Sequence, residues 1–150
     1  MMVRELDPPG FHPQKAVILF HSFATDGALI RPDRFERAIS LVWGAMRHWL
    51  ACGVPTLLMA DVEEWVPRRV VTRQQLGQAG EMLSRARRAA GTEEHELFGR
   101  MQDLDRDDAL IMISDMPVVH WKDHVGKRSQ LVLVDIASYE RKQRERRGRA

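Results

Sequence analysis

The chain has 150 residues, of which 44% are hydrophobic and 29% charged, and its formal net charge is +2. This length suits one domain, which buries about two thirds of the surface of its unfolded chain and folds without disulfide staples. No run approaches the roughly 20 apolar residues that span a bilayer, and the N-terminus lacks the apolar core of a signal peptide. The sequence therefore predicts a cytoplasmic protein with no membrane segment. Its one cysteine, Cys52, is expected to be a small buried thiol without chemistry.

The basic charge is concentrated at the C-terminus. Residues 140–150 contain six basic and two acidic side chains, a net of +4, so residues 1–139 carry a net charge of −2. Such a run can contact nucleic acid or an acidic partner, but a solvated terminal helix is the commoner structure. The run has no aromatic side chains for base stacking, which disfavours nucleic-acid binding.

The first half of the chain predicts two strands and one long helix. Residues 15–20 form a continuous apolar run, typical of a strand buried on both faces of a parallel sheet. A helix at 31–53 begins with a proline suited to a first turn. Its core-facing stripe comprises Phe35, Ile39, Val42, Met46 and Trp49. Residues 54–60 form the second strand, and residues 65–71 are predicted to be an extended connection because Pro67 is excluded from strand centres.

The second half alternates helix and strand. Thr72 and Gln75 form a capping box that opens a helix reaching about residue 90. The later predicted elements are a helix at 93–104, a strand at 109–113, a short helix at 119–125, a strand at 130–135 and a polar helix at 138–147. Strands separated by helices predict an α/β fold with a doubly wound, mainly parallel sheet and helices on both faces. The predicted domain spans residues 1–137, and residues 138–150 form a basic C-terminal helix or tail.

Several catalytic and nucleotide-binding motifs are missing from the sequence. It contains no glycine-rich phosphate loop, no G-x-G-x-x-G after the first strand and no G-x-S-x-G elbow. His21 and Ser22 are adjacent on a strand and point to opposite faces, so a direct relay between them is geometrically poor. A small doubly wound hydrolase that uses Ser22 or Asp115 stays open as the alternative function.

Acidic and histidine side chains also occur where a metal could bind. Asp61, Glu63 and Glu64 follow the second strand, where they either bind a cation or form a solvated loop. We favour the loop, because hard cations usually need oxygens that converge from more than one segment. His120 and His124 would share a helix face, but no zincin glutamate accompanies them, so we expect solvent-exposed histidines.

Six segments occur in an order that resembles a known family. They read VREL at 3–6, AVILFHSFAT at 16–25, ACG at 51–53, VPRRVVTRQQL at 66–76, LIMISD at 110–115 and LVLVD at 131–135. On these segments the chain, from about residue 3 to residue 141, resembles the von Willebrand factor A-like domain of the bacterial family called domain of unknown function 58. The resemblance implies a Rossmann-like three-layer sandwich.

In that family, a metal-ion-dependent adhesion site normally forms at the carboxyl edge of the sheet. It resembles a D-x-S-x-S loop after the first strand, a threonine from a second loop and an aspartate from a third, which together hold magnesium. Here the three loop positions fall on His21, Phe23 and Thr25, of which only Thr25 keeps a suitable oxygen. Asp115 matches the third-loop aspartate, whereas the only nearby threonine candidate, Thr72, is engaged in helix capping.

This departure predicts a degenerate metal site. An imidazole in place of a carboxylate and a phenyl ring in place of a hydroxyl remove both charge and ligands that magnesium requires. We therefore expect no cofactor. Magnesium binding would need Ser22 or Asp26 to take over after a one-residue shift of the loop, with Thr25 and Asp115 as further ligands.

The resemblance implies a non-catalytic domain that binds another protein. A MoxR-type AAA ATPase is the implied partner, because family members are often encoded beside such ATPases. Members usually carry a membrane-anchored region ahead of the domain, so this chain is expected to be a free-standing version or a fragment. The candidate binding residues are Ser22, Thr25, Asp61 and Asp115.

Overall fold

A five-stranded sheet forms the centre of the protein in the computed structural model, which describes residues 14–22, 31–87, 107–114 and 131–149 and positions 99 and 104. The strands are β1 (Ala16–His21), β2 (Thr56–Ala60), β3 (Arg68–Val70), β4 (Ala109–Ser114) and β5 (Leu131–Asp135). The helices are α1 (Pro32–Ala51), α2 (Arg73–Arg85) and α3 (Ile136–Arg149), and a 3₁₀ turn spans Asp61–Glu63.

The strand order is β3-β2-β1-β4-β5. β1 pairs in parallel with β2 and with β4, and β4 pairs in parallel with β5. The chain thus builds the sheet outward from β1 on one side, and then returns to add β4 on the other. That reversal makes the carboxyl ends of β1 and β4 a topological switch point, where open α/β sheets bind their ligands.

The predicted mixed α/β class with a mainly parallel sheet is confirmed. One element differs from the prediction: residues 68–70, expected within an extended connection, form β3, which pairs antiparallel with β2 at the sheet edge. Pro67 immediately precedes this strand and therefore removes no hydrogen bond from the strand itself.

One face of the sheet packs against the helices. Alternate residues of β1, among them Ile18 and Phe20, share a core cluster with the buried stripe of α1. The rings of Phe20 and Phe35 lie 5.9 Å apart, centroid to centroid. The same cluster contains Ala79 and Leu83 of α2. Burial of these apolar side chains positions the sheet relative to α1 and α2.

The opposite face of the sheet forms a second cluster. Val17, Leu19, Leu110 and Met112 are almost fully buried there, and Trp65 packs with them. The predicted helices at 93–104 and 119–125 lie almost entirely outside the described residues. Helices on one face are therefore established, and the predicted second helical layer remains a prediction.

Helix α1 owes its orientation to a single apolar stripe. Its buried residues are Phe35, Ala38, Val42, Met46 and Trp49, spaced at three and four residues as predicted. Proline stands in its first turn, and Gly53 just beyond its end has φ +73°, a left-handed conformation that glycine adopts without strain. Cys52, predicted to be buried, is exposed at this helix end, because the terminus turns away from the core; its Sγ lies 3.8 Å from His48 Nε2.

Helix α2 begins with the predicted capping box. The Gln75 N–H donates to Thr72 Oγ1 at 3.1 Å, and the Thr72 N–H donates to Gln75 Oε1 at 3.2 Å. The helix ends at Arg85, several residues earlier than predicted. No helix among the residues the structure describes is both long enough and apolar enough to cross a membrane.

Candidate functional site at the carboxyl edge of the sheet

Four polar side chains are buried where the three central strands end. They are His21, Ser22, Asp61 and Ser114, each no more than 3% exposed. Buried polar groups are costly unless they are hydrogen-bonded. Their concentration at the switch point of the sheet marks this edge as the candidate site.

Ser22, just after β1, is bonded to Asp61, just after β2. The Ser22 N–H donates to Asp61 Oδ2 at 2.7 Å, and the Ser22 hydroxyl donates to the same oxygen at 2.8 Å. The last Cα pair of the two strands is Phe20 with Ala60. The carboxylate therefore holds the chain together beyond the point where backbone pairing stops.

The carboxyl group of Asp61 is buried beyond the reach of bulk water. Burial raises its pKa from 3.8 to about 6, although the Ser22 hydrogen bonds and the backbone N–H groups of Val62 and Asp61 itself favour the charged form. Within the described part of the chain, its second oxygen, Oδ1, has no hydrogen-bond partner. The carboxyl group thus changes its protonation state near pH 6, at an appreciable desolvation cost.

His21 is bonded across the switch point to β4. His21 and Ser114 are Cα partners in the parallel pairing of β1 and β4, and His21 Nδ1 lies 3.2 Å from Ser114 Oγ. The imidazole also stacks on the indole of Trp65, with centroids 6.2 Å apart and planes inclined by 11°. These contacts fix the ring from the side of the strand and from the side of the turn that follows β2.

The turn after β2 contains two consecutive left-handed residues that are not glycine. Glu64 has φ +56° and Trp65 has φ +62°. Such conformations cost of order 1–3 kcal/mol each and persist only where the surroundings impose them. Here the Trp65 N–H donates to the Ala60 carbonyl at 2.9 Å, and the indole is fully buried. The turn therefore delivers a large aromatic ring beneath His21 at the expense of backbone strain.

An ion pair between Arg68 and Glu63 connects the same turn to the strand that follows it. The Arg68 guanidinium donates from Nε to Glu63 Oε2 at 3.1 Å and from Nη2 to Glu63 Oε1 at 2.5 Å. The hydrogen bonds and charge of Glu63 raise the pKa of Arg68 above its usual value. This bidentate contact joins the turn to β3.

The structure brings two of the four predicted binding residues together. Ser22 and Asp61 are in direct contact, as described above. Thr25 and Asp115, and with them the predicted histidine pair, lie outside the described residues. The prediction of a solvated acidic loop is wrong for Asp61, which is 3% exposed, because the 3₁₀ turn directs its carboxyl group inward to Ser22. Glu64 is exposed as expected.

Sequence reasoning missed three members of the site. His21, Ser114 and Trp65 were not predicted to interact. One signal was present: residues 17, 19 and 21 alternate on one face of β1, and residues 110, 112 and 114 alternate on one face of β4, so aligned apolar runs place His21 beside Ser114. No comparable signal existed for Trp65, since its place depends on two left-handed residues.

The donors that the structure describes at this edge do not make up the magnesium site that the resemblance implies. His21 stands where the resemblance implies the first loop aspartate, and its imidazole Nδ1 lies 3.2 Å from Ser114 Oγ. Asp61 supplies a carboxylate, but its Oδ2 accepts two hydrogen bonds from Ser22. Among the described residues, no three side chains of histidine, cysteine, aspartate or glutamate are grouped as metal ligands. Magnesium prefers several oxygens in near-octahedral geometry.

The fold and the site define an α/β protein with a mainly parallel sheet and a buried polar network at its switch point. Comparisons of the chain with protein-family models, with curated proteins and with solved structures found no match in any of the three.

Proposed function

We propose that the protein is a non-catalytic domain that binds another protein through the carboxyl edge of its sheet, without a metal ion. The observation that supports this most directly is the contact of His21 with Ser114 and Trp65. A working adhesion site would place an acidic ligand and a magnesium ion there. In this chain the same position holds an imidazole that contacts a serine hydroxyl and an indole.

The polar network supports binding rather than turnover. The Ser22 hydroxyl donates its one proton to Asp61, and its side chain is fully buried. A nucleophile must reach its substrate and needs a base within hydrogen-bond distance. Asp61 stands at that distance, but Ser22 is fully buried, so a hydrolase built on Ser22 would require the removal of its cover, and we do not propose it.

The proposed partner is a MoxR-type AAA ATPase, and the proposed contact surface includes Thr25, Asp115 and the end of the 3₁₀ turn, which the buried pair of Ser22 and Asp61 stabilises. Glu64, exposed at the end of that turn, is the accessible residue that reports on this surface. A partner that docks there would meet a rigid edge, because the hydrogen bonds and ion pair described above hold the turn from two sides. Rigid surfaces lose less conformational entropy on binding.

Two measurements test the proposal together. Purified ATPase from the same organism should bind the protein equally well in magnesium and in EDTA, and Glu64→Arg should weaken binding at least tenfold. Glu36→Arg, an equivalent change at an exposed position of α1, should leave binding intact. In a thermal-shift titration, magnesium and manganese should leave the melting temperature unchanged, since a site saturated a hundredfold over Kd would add about 2.7 kcal/mol of stability.

Binding that requires magnesium, together with a saturable thermal shift, would refute the metal-independent mode. Equal binding by the Glu64→Arg and Glu36→Arg variants would move the contact surface away from the carboxyl edge.

A further inference from the structure

Strand β3 is one of the two edge strands of the sheet that the structure describes. It stands last in the strand order and pairs with β2 through Val70 with Thr56, Arg69 with Leu57 and Arg68 with Leu58. Alternate residues of an edge strand direct their N–H and C=O groups away from the sheet, where another chain can pair with them.

Apolar side chains are exposed at both ends of this edge. Val66 is 57% exposed and Val71 is 38% exposed, and these are the two large hydrophobic side chains exposed in the described part of the chain. The N–H groups of Val66 and Val71 donate to Glu63 O and to Gln75 Oε1, so backbone pairing with an added strand falls to residues 68–70. Exposed apolar side chains on either side of such a strand are features that an added strand uses.

The charge at this edge is positive. Arg69 on β3 and Arg73 at the start of α2 are both exposed, while the charge of Arg68 is matched by Glu63. Residues 1–139 as a whole carry a net charge of −2, so the positive charge of this edge is opposite in sign to the net charge of that part of the chain. In an extended segment, residues 69 and 71 point to the same face, which places the guanidinium of Arg69 next to the side chain of Val71.

We propose that β3 binds an extended acidic segment of a partner protein as an added sixth strand, in which a carboxylate faces Arg69 and an apolar residue two positions away faces Val71. Cross-strand pairs of opposite charge and of β-branched residues stabilise such pairing. A second copy of this chain is disfavoured as the occupant, because antiparallel pairing of β3 with itself centred on Arg69 would bring like charges together.

Proline and charged residues usually protect an edge strand from pairing with other chains. In β3 they determine which kinds of strand can pair with it. Pro67 limits pairing to the residues that follow it, and Arg69 opposes neutral aggregation-prone or basic strands. An acidic strand meets neither obstacle. This surface adjoins the turn after β2 through the ion pair of Arg68 with Glu63, but it uses the backbone of β3, so it neither requires the proposed function nor fails with it.

A pair of synthetic peptides tests the proposal. The probe is an acetylated, amidated peptide of alternating valine and glutamate, and its control replaces each glutamate with lysine. In a titration followed by amide NMR, the glutamate peptide should shift the amides of residues 66–71 and bind at least tenfold more tightly than the lysine peptide. N-methylation of alternate peptide nitrogens should abolish binding, because it removes the backbone hydrogen bonds.

Charge reversal provides the decisive variant. Arg69→Glu should reverse the preference between the two peptides, and Arg47→Glu at an exposed position of α1 should leave it unchanged. The proposal is overturned if the β3 amides do not move at millimolar peptide, if the shifts fall on α3 instead, or if the N-methylated peptide binds equally well. It is also overturned if Arg69→Glu leaves the preference as it was.

Discussion

Asp61 is the residue on which the stability of the candidate site depends most directly. Asp61 is 3% exposed, and its carboxyl group accepts both hydrogen bonds that Ser22 donates. Burial disfavours the charged form more than these bonds favour it, which explains the raised pKa of about 6. At neutral pH the carboxylate of Asp61 is therefore charged, although its burial disfavours the charged form.

This residue predicts a specific pH dependence of folding stability. Because the pKa of Asp61 is higher in the folded chain, its contribution is fully present below about pH 4 and is lost as the pH rises through about 6. The free energy of unfolding of the wild type, measured relative to Asp61→Asn, should fall by about 2 kcal/mol between pH 4 and pH 7. Denaturant titrations at a series of pH values measure this difference.

The matched control is Asp33→Asn, at an exposed position in the first turn of α1. The wild type measured relative to this variant should show no such fall. A constant difference between wild type and Asp61→Asn across the same range would show that Asp61 has an ordinary pKa in the folded chain.

At the scale of elements, α1 and α2 approach closely at one glycine. A Cβ atom placed on Gly80 would lie 2.5 Å from Cζ3 of Trp43 on α1. A Cβ atom placed on Gly77, one turn earlier on α2, would have no atom within 4 Å. The two glycines therefore differ in packing while sharing one helix.

Alanine at these two positions should have opposite effects. Gly77→Ala should stabilise the protein by about 0.5–1 kcal/mol through helix propensity. Gly80→Ala gains the same propensity but forces the indole of Trp43 aside, and overpacking of about 1–3 kcal/mol should leave a net loss. Thermal unfolding of both variants measures the difference, and a similar rise in melting temperature for both would contradict close packing of α1 on α2.

Helix α3 shows how an element can be present without an apolar face. Its first residue, Ile136, is fully buried in the helical core cluster, whereas Lys142, Arg146 and Arg147 are exposed. A helix that is polar on all sides gains little from packing beyond its anchored end. The basic C-terminus therefore contributes charge to the molecule more than stability.

At the scale of the whole molecule, the sign of the net charge depends on this helix. Ending the chain after Glu140 removes six basic residues and one acidic residue, and changes the net charge from +2 to −3. The shortened protein should lose retention on a cation-exchange column at pH 7, while its melting temperature stays within a few degrees of the wild type. Undiminished retention would place the basic surface elsewhere, for instance at Arg69 and Arg73.

Periodicity predicted most of the framework from sequence. The apolar runs of β1, β4 and β5 and the stripe of α1 were recognisable because a parallel sheet and its covering helix bury residues at fixed spacings. The capping box located the start of α2 for a similar reason, since its two side chains satisfy local backbone groups. Such features depend on neighbours in sequence.

The candidate site was less predictable because it depends on neighbours in space. Ser22 and Asp61 were both selected as strand-end residues, but their contact joins positions 39 residues apart. The inward direction of Asp61 and the placement of Trp65 follow from the 3₁₀ turn and two left-handed residues, which no propensity favours. The edge strand β3 was missed because Pro67 indicated a connection, although the strand begins directly after it.

The central position of β1 also determines the order in which the protein can assemble. Its partner β2 follows within about 40 residues, but Ala16 pairs with Ala109, so its other side stays unpaired until 93 more residues have been synthesised. Contacts between such distant parts of a chain form slowly, because a large loop must close first. During synthesis β1 thus has one apolar edge without its partner strand, and His21 can pair with Ser114 only once β4 has been made.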